Sequence, residues 1–158
     1  ADAFGQLGLY YYRGSCGLPQ DMAKANELWL KAGQLGCAQA YHNLGYTYEN
    51  GIGVEVDKKK AKHYYELAAM KGSIPARHNL GCLEGQAGNH QWAFKHNMLS
   101  ARAGCNKSLN TVKGGFMDED VTKAEYANAL REYQKSQDEM KSDARDNALA
   151  FIQDNCNM

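Results

Sequence analysis

The chain has 158 residues, 44% of them hydrophobic, and its 18 lysine and arginine side chains balance 18 aspartates and glutamates at pH 7. One domain is expected at this length. No apolar run approaches the roughly 18 residues that span a membrane, so we expect no membrane insertion. No nucleic-acid partner is expected either, because the one basic run, Lys58-Lys59-Lys60, belongs to the opening of a predicted helix.

The most regular feature of the sequence is a repeat every 36 to 37 residues. A fixed period in this range is typical of solenoids, in which each repeat buries its apolar face only against its neighbours. Such a fold offers an extended surface instead of a central pocket of the enzyme type. The recurring residues are Leu7-Gly8, Leu44-Gly45 and Leu80-Gly81; Lys24-Ala25 and Lys60-Ala61; and Ala32 with Gly36, and Ala68 with Gly72.

The clearest repeat, residues 38–72, predicts two helices joined by a turn. Gly51 and Gly53 end the first helix, because glycine adopts the left-handed backbone of a helix exit. Asp57 is placed to cap the second helix, which ends at Gly72. Apolar residues spaced three or four apart share one helical face; these are Ala40, Leu44 and Tyr48 in the first helix, and Ala61, Tyr64, Tyr65 and Ala68 in the second.

A glycine recurs inside the first helix of each repeat, at Gly8, Gly45 and Gly81. A glycine in a helix interior destabilises the helix by roughly 1 kcal/mol relative to alanine. Because glycine recurs at the same position of each repeat, we predict that packing requires it there. We expect that the missing Cβ lets the second helix of the repeat approach closely. Small residues on the second helices agree with this, namely Ala25, Ala32, Ala61, Ala68 and Ala69.

These residues form the pattern Ala-x-x-x-Leu-Gly-x-x-Tyr, then Gly-x-Gly-Val, Asp-x-x-Lys-Ala and Tyr-x-x-Ala-Ala-x-x-Gly. Residues 40–72 match it almost throughout, residues 3–36 match it well, and residues 76–104 match it in part. The sequence therefore resembles the Sel-one-like repeat (SLR), a helix-turn-helix relative of the tetratricopeptide repeat. The resemblance implies an all-α fold, a right-handed α-α superhelix (solenoid) of helix-turn-helix repeats.

The third repeat departs from this pattern. Glu84 stands where the earlier repeats have Tyr11 and Tyr48, and the turn shortens to residues 85–89, with Asn89 as the expected cap. A degenerate fourth repeat brings Phe116 to the aromatic position. We expect repeats at about 1–36, 37–72 and 73–104, a degenerate repeat at 105–117, and a C-terminal segment at 118–158.

The C-terminal segment predicts one long capping helix. Thr122 and Glu125 form a capping box, and the acidic cluster at 118–120 suits the positive end of a helix dipole. A helix from 122 to about 153 would measure roughly 48 Å. Terminal repeats of a solenoid need such a cap, and a helix of this length could also contact a partner or self-associate.

The number and spacing of the cysteines bear on the redox state of the compartment in which the protein resides. There are five, an odd number, and no repeat contains the pair that would lock its two helices. We therefore expect free, mostly buried thiols in a reducing intracellular compartment, with a disulfide framework and secretion as the less favoured alternatives. The sequence starts within a repeat and without an initiator methionine, so we expect a trimmed or processed piece whose targeting segment has been removed.

Catalytic patterns are missing from the sequence. The five histidines lack ligand spacing, no serine has a lysine three residues later, and no C-x-x-C, H-E-x-x-H or P-loop pattern occurs. We predict no enzyme activity and no cofactor. A cysteine-dependent hydrolase is the alternative left by Cys82, which has His78 one helical turn away.

The first helices carry the predicted binding residues. In tetratricopeptide-like repeats these helices line the concave face. Asparagine can both donate hydrogen bonds to a peptide backbone and accept them from it, and tyrosine adds rigid contact area. Duplication alone would also repeat such residues. We predict a non-catalytic scaffold or adaptor that binds another protein along this groove, or alternatively a structural subunit embedded in a larger assembly. The predicted partner-binding residues are Gln6, Tyr12, His42, Asn43, Tyr46, Glu49, His78 and Asn79.

Overall fold

The computed structural model describes residues 1–117 and 121–156, with side chains described up to residue 144. Its regular secondary structure within these ranges is entirely α-helical, which confirms the predicted all-α class. The described helices are α1 (Asp2–Arg13), α2 (Met22–Gln34), α3 (Ala38–Asn50), α4 (Lys58–Met70), α5 (Ile74–Gln86), α6 (His90–Arg102), α7 (Asn106–Met117) and α8 (Lys123–Cys156).

The chain forms two compact bodies, an N-terminal body of Ala1–His96 and a C-terminal body of Asn97–Met158. In the N-terminal body each helix packs on the next one along the chain, from α1 to α5. This neighbour-to-neighbour packing is that of a solenoid. Its core is built from small residues between aromatic rings, and the alanines without solvent exposure are Ala25, Ala32, Ala61, Ala68 and Ala76.

Helix ends follow the sequence signals closely. The Asp57 carboxylate accepts a hydrogen bond from the Lys60 backbone N–H at 2.9 Å, which confirms the predicted cap of α4. Asp21 caps α2 in the same way, at 2.8 Å from the Lys24 N–H. Gly51 ends α3 with a φ of 70°, the left-handed conformation that glycine adopts without strain. The predicted cap Asn89 directly precedes α6, and its side-chain Nδ2 donates to Glu84 Oε2 at 2.8 Å.

Glycines in the first helices make room for aromatic rings of the second helices. A Cβ at Gly8 would lie 2.7 Å from the Trp29 ring, and one at Gly45 would lie 2.5 Å from the Tyr65 ring. The expected packing reason is therefore present at both glycines: a ring occupies the space, and at Gly8 the Ala25 backbone carbonyl of α2 also lies 3.3 Å from the Cβ position. Gly33 of α2 receives the Tyr41 ring of α3 in the same manner, which joins successive repeats.

The third repeat replaces an aromatic contact by an ion pair between the buried Glu84 and the exposed Lys62. Glu84 is 6% exposed, and its carboxylate accepts from Lys62 Nζ at 2.6 Å and from Asn89 Nδ2 at 2.8 Å. The hydrogen bond from Lys62 lowers the pKa of Glu84, against the effect of burial. The carboxylate thus keeps its charge inside the body because both oxygens are paired.

In the C-terminal body α7 packs on α8. Phe116 and Tyr126 stack with ring centroids 5.1 Å apart, beside the buried Val112 and Ala129. The predicted capping box is confirmed: Glu125 N–H donates to Thr122 Oγ1 at 3.3 Å, and Thr122 N–H donates to Glu125 Oε2 at 3.0 Å. The acidic cluster at 118–120 lies outside the described residues.

The expected burial of the cysteines is wrong. Cys16 is exposed, while Cys37, Cys82 and Cys105 are half-buried, and all four are free thiols. Each lies next to a turn or on the rim of a helix face, where the repeat pattern does not require an apolar residue. The side chain of Cys156 lies outside the described residues. None of the described helices is long and apolar enough to cross a membrane.

Replacing Gly45 by alanine tests the ring-over-glycine contact. The new methyl group would meet the Tyr65 ring, and overpacking of this kind costs about 1–3 kcal/mol, more than the roughly 1 kcal/mol that alanine adds to a helix. We expect Gly45→Ala to lower the midpoint of urea unfolding followed by circular dichroism. Gly85→Ala is the control, because its Cβ would make only an ordinary 3.7 Å contact with Ala93. A Gly45→Ala protein as stable as the control would contradict the contact.

Candidate functional site

Two adjoining pockets form a groove between α1 and α3, which we call the α1–α3 groove. They share Leu9 and Asn43, and their volumes are about 240 and 220 Å³. The larger pocket is lined by Leu9, Tyr12, Trp29, His42, Asn43 and Tyr46. The smaller pocket is lined by Asp2, Gly5, Gln6, Leu9, Cys37, Gln39, Ala40 and Asn43.

The ring of Trp29 fixes the back of the larger pocket. It is 2% exposed, and its indole N–H donates to the Gly5 carbonyl at 3.2 Å. Tyr12 packs on it with ring centroids 5.5 Å apart. Tyr46 stands on the rim with 44% of its surface exposed. The pocket therefore has a rigid aromatic wall and an accessible aromatic rim.

A chain of polar side chains runs along α3 toward α5. Gln39 Nε2 donates to Asn43 Oδ1 at 2.9 Å and lies 3.1 Å from His42 Nδ1. On the other side of the imidazole, Nε2 lies 3.3 Å from Asn79 Nδ2. A neutral imidazole accepts at one nitrogen and donates at the other, so the tautomer of His42 decides which amide donates to it. An imidazolium could accept from neither.

Tyr65 and Glu49 continue this network. The Tyr65 hydroxyl donates to Glu49 Oε2 at 2.7 Å, and the Tyr65 ring lies 5.7 Å from the His42 ring. Burial of the phenol and its hydrogen bond to Glu49 both raise the pKa of Tyr65. The hydroxyl is therefore a permanent donor that holds the Glu49 carboxylate in place.

Burial also lowers the pKa of His42, while the hydrogen bond that the imidazole donates to Asn43 and the charge of Glu49 oppose this effect. The neutral imidazole is thus favoured in the fold. This agrees with the two amides that face its ring nitrogens, because the one that donates to the imidazole would lose its acceptor on protonation.

The structure brings most of the predicted site residues together. Five line the groove, and Glu49 and Asn79 join them through the polar network; His78 stands apart, with its Nε2 3.7 Å from Cys82 Sγ. Sequence reasoning missed Trp29, Gln39 and Tyr65. The repeated glycines opposite Trp29 and Tyr65 were the available signal. The five groove residues are Gln6, Tyr12, His42, Asn43 and Tyr46.

The arrangement is suited to holding a ligand by contact and hydrogen bonding. Asn43 keeps its Nδ2 group and Asn79 its Oδ1 for hydrogen bonds beyond those described above. Among the residues with described side chains, no three or more His, Cys, Asp or Glu groups are arranged to hold a metal ion.

The pKa of His42 predicts a pH dependence of stability. The unfolded chain takes up a proton near the ordinary pKa of 6.5, and the folded chain does so only at lower pH. The free energy of unfolding should therefore fall as the pH drops from about 7 toward 5. Burial lowers the pKa of His96 as well, so His42→Gln should remove part of this slope in urea unfolding. His90→Gln, at an exposed position, should leave it unchanged, and an unchanged slope in His42→Gln would contradict the assignment.

Comparisons with known proteins agree with this architecture. The Sel1 repeat family matches residues 6–37 and 38–73. A Sel1 repeat protein from Oxalobacter formigenes is 26% identical, with a TM-score of 0.70 over 87% of this chain and 58% of that one. A protective antigen of uropathogenic Escherichia coli strains, described as displaying an SLR fold, is 30% identical, with a TM-score of 0.74 over 87% of this chain and 30% of that one. No curated protein matches the sequence.

This chain therefore spans 58% and 30% of the two similar solved structures. The resemblance inferred from the Leu-Gly repeats is confirmed by the family match and by both structures. The chain contains two Sel1 repeats at residues 6–73 and has the tetratricopeptide-like helical solenoid fold of Sel1-repeat proteins.

Proposed function

We propose that this chain is a non-catalytic scaffold that holds a segment of another protein in the α1–α3 groove. Sel1-repeat proteins are generally protein-interaction scaffolds and are typically non-catalytic. The observation that carries the proposal is the continuity of the groove: two pockets share Leu9 and Asn43 and offer aromatic contact beside hydrogen-bonding amides.

The groove side chains are already ordered by contacts within the protein. Gln39 orients Asn43, His42 orients Asn79, and Trp29 supports Tyr12. A partner segment would therefore lose little binding free energy to ordering these side chains. The free Asn43 Nδ2 group would donate to a carbonyl of the segment, and Asn79 Oδ1 would accept from an N–H.

Tyrosine supplies the apolar part of the contact. Tyr12 and Tyr46 have few rotatable bonds, so their burial against a partner costs little conformational entropy. The larger pocket, about 240 Å³ in volume, has room for one side chain of the segment. Gln6 lies in the neighbouring pocket and extends the contact toward the start of α1.

A permanently embedded structural subunit is the second candidate. Large apolar side chains are exposed outside the groove, and Met70 is the most exposed of them at 83%. Such residues would be covered in a larger assembly. The others in the N-terminal body include Leu35, Val56 and Trp92.

Selection from a displayed peptide library tests the groove. Peptides enriched on the purified chain should bind the wild type and the Met70→Ala control equally, because Met70 lies on α4 outside the groove. Tyr46→Ala should weaken them about tenfold, as loss of a central aromatic contact does. Fluorescence anisotropy of labelled peptides measures the dissociation constant for the wild type and for each of the two variants.

Two outcomes would redirect the assignment. Peptides whose affinity falls in Met70→Ala and not in Tyr46→Ala would place binding on the second helices and overturn the groove. Self-association of the wild type that Met70→Ala abolishes, measured by analytical ultracentrifugation, would favour the embedded subunit.

A further inference from the structure

The lysines of the N-terminal body are concentrated in the second helix of each repeat. No lysine occurs in α1, α3 or α5. These helices carry two arginines: Arg13 is exposed in the last turn of α1, and Arg77 of α5 has its guanidinium against the end of α4, where it donates to the Ala69 carbonyl at 3.2 Å. The lysines lie in the second helices, apart from Lys71 at the C-cap of α4: Lys24 and Lys31 in α2, Lys58, Lys59, Lys60 and Lys62 in α4, and Lys95 in α6.

Asp2 is the charged residue in the lining of the α1–α3 groove, and it lies in the smaller pocket. Neither pocket has a lysine or arginine in its lining. Glu49 follows Tyr46 by three residues on α3, and its charge is felt at His42, where it raises the pKa. Because burial keeps His42 neutral, the imidazole adds no opposing charge.

Aromatic faces complete this environment. Tyr12 is half-buried and Tyr46 is exposed on the rim of the larger pocket. Rings of this type attract a cation through their quadrupole, most strongly where the cation is partly removed from water. The long apolar stem of arginine or lysine would pack on Leu9 and the two rings, while its charged end stays near solvent.

We propose that the segment held in the α1–α3 groove presents an arginine or lysine side chain to the pocket between Tyr12 and Tyr46. This inference rests on the proposed function and adds the chemistry of the partner: a cationic segment. It is attracted by Asp2 in the adjoining smaller pocket and by Glu49, three residues after Tyr46 on α3, and no lysine or arginine lines either pocket. An acidic segment would be repelled by the Asp2 and Glu49 carboxylates, and a purely apolar segment would leave both carboxylates without a new partner.

The test uses peptides selected on the purified wild-type chain. We expect enrichment of arginine or lysine at one fixed position. Replacing that residue in a synthetic peptide by neutral citrulline or norleucine should weaken binding about tenfold, the size of one partly desolvated cation–π and charge contact. Tyr46→Leu in the protein keeps apolar volume and removes the ring, and it should weaken the cationic peptide about as much.

Matched charge variants show whether the affinity for the cationic peptide depends on a carboxylate at the groove or on the overall charge of the protein. Glu49→Gln should weaken the cationic peptide several-fold at low salt and less at high salt. Glu55→Gln removes a carboxylate from an exposed position outside the pockets and should have no such effect. Equal weakening by both variants would overturn the assignment of the cation to the groove.

The two proposals fail in different ways. If selected peptides lose affinity in Tyr46→Ala but bind equally with citrulline or norleucine, the cationic occupant is wrong and the groove stands. If no selected peptide responds to Tyr46→Ala, the groove is wrong and the cationic occupant fails with it.

Discussion

An aromatic ring over the Cα of a glycine is the contact on which the N-terminal body depends. Trp29 lies over Gly8, Tyr41 over Gly33, and Tyr65 over Gly45. Each contact joins one helix to the next, so the three together run from α1 to α4. Dense packing of this kind tolerates no added methylene without displacement of the ring. The glycines therefore lower the intrinsic stability of their helices, and they allow the three rings to be buried.

The same rings shape the candidate site. Trp29 fills the space over Gly8 and forms the back of the larger pocket. Tyr65 fills the space over Gly45, contacts the His42 ring, and holds Glu49 by its hydroxyl. Packing and site are thus built from shared side chains. A change that displaces either ring would alter stability and the groove together.

Sequence alone predicts what the 36- to 37-residue period encodes. Helix positions, the Asp57 cap, the left-handed Gly51 and the Thr122–Glu125 box all depend on residues close in the chain, and the structure confirms them. Contacts between repeats are a different matter, because the period does not say which side chains meet across space. The Lys62–Glu84 pair and the hydrogen bond between His42 and Asn79 join different repeats, and the exposure of the cysteines depends on local packing. Sequence could propose the first-helix face as the site, but it could not identify Trp29 as its back wall.

Site-specific photo-crosslinking tests the groove as the binding surface most directly. A benzophenone amino acid would be placed at Tyr46 on the groove rim and, in a second protein, at the exposed Met70 of α4. Irradiation of each with its native partner or a selected peptide should give a crosslink from position 46 and none from position 70. Crosslinking from position 70 alone would contradict the assignment and place the partner on the second helices.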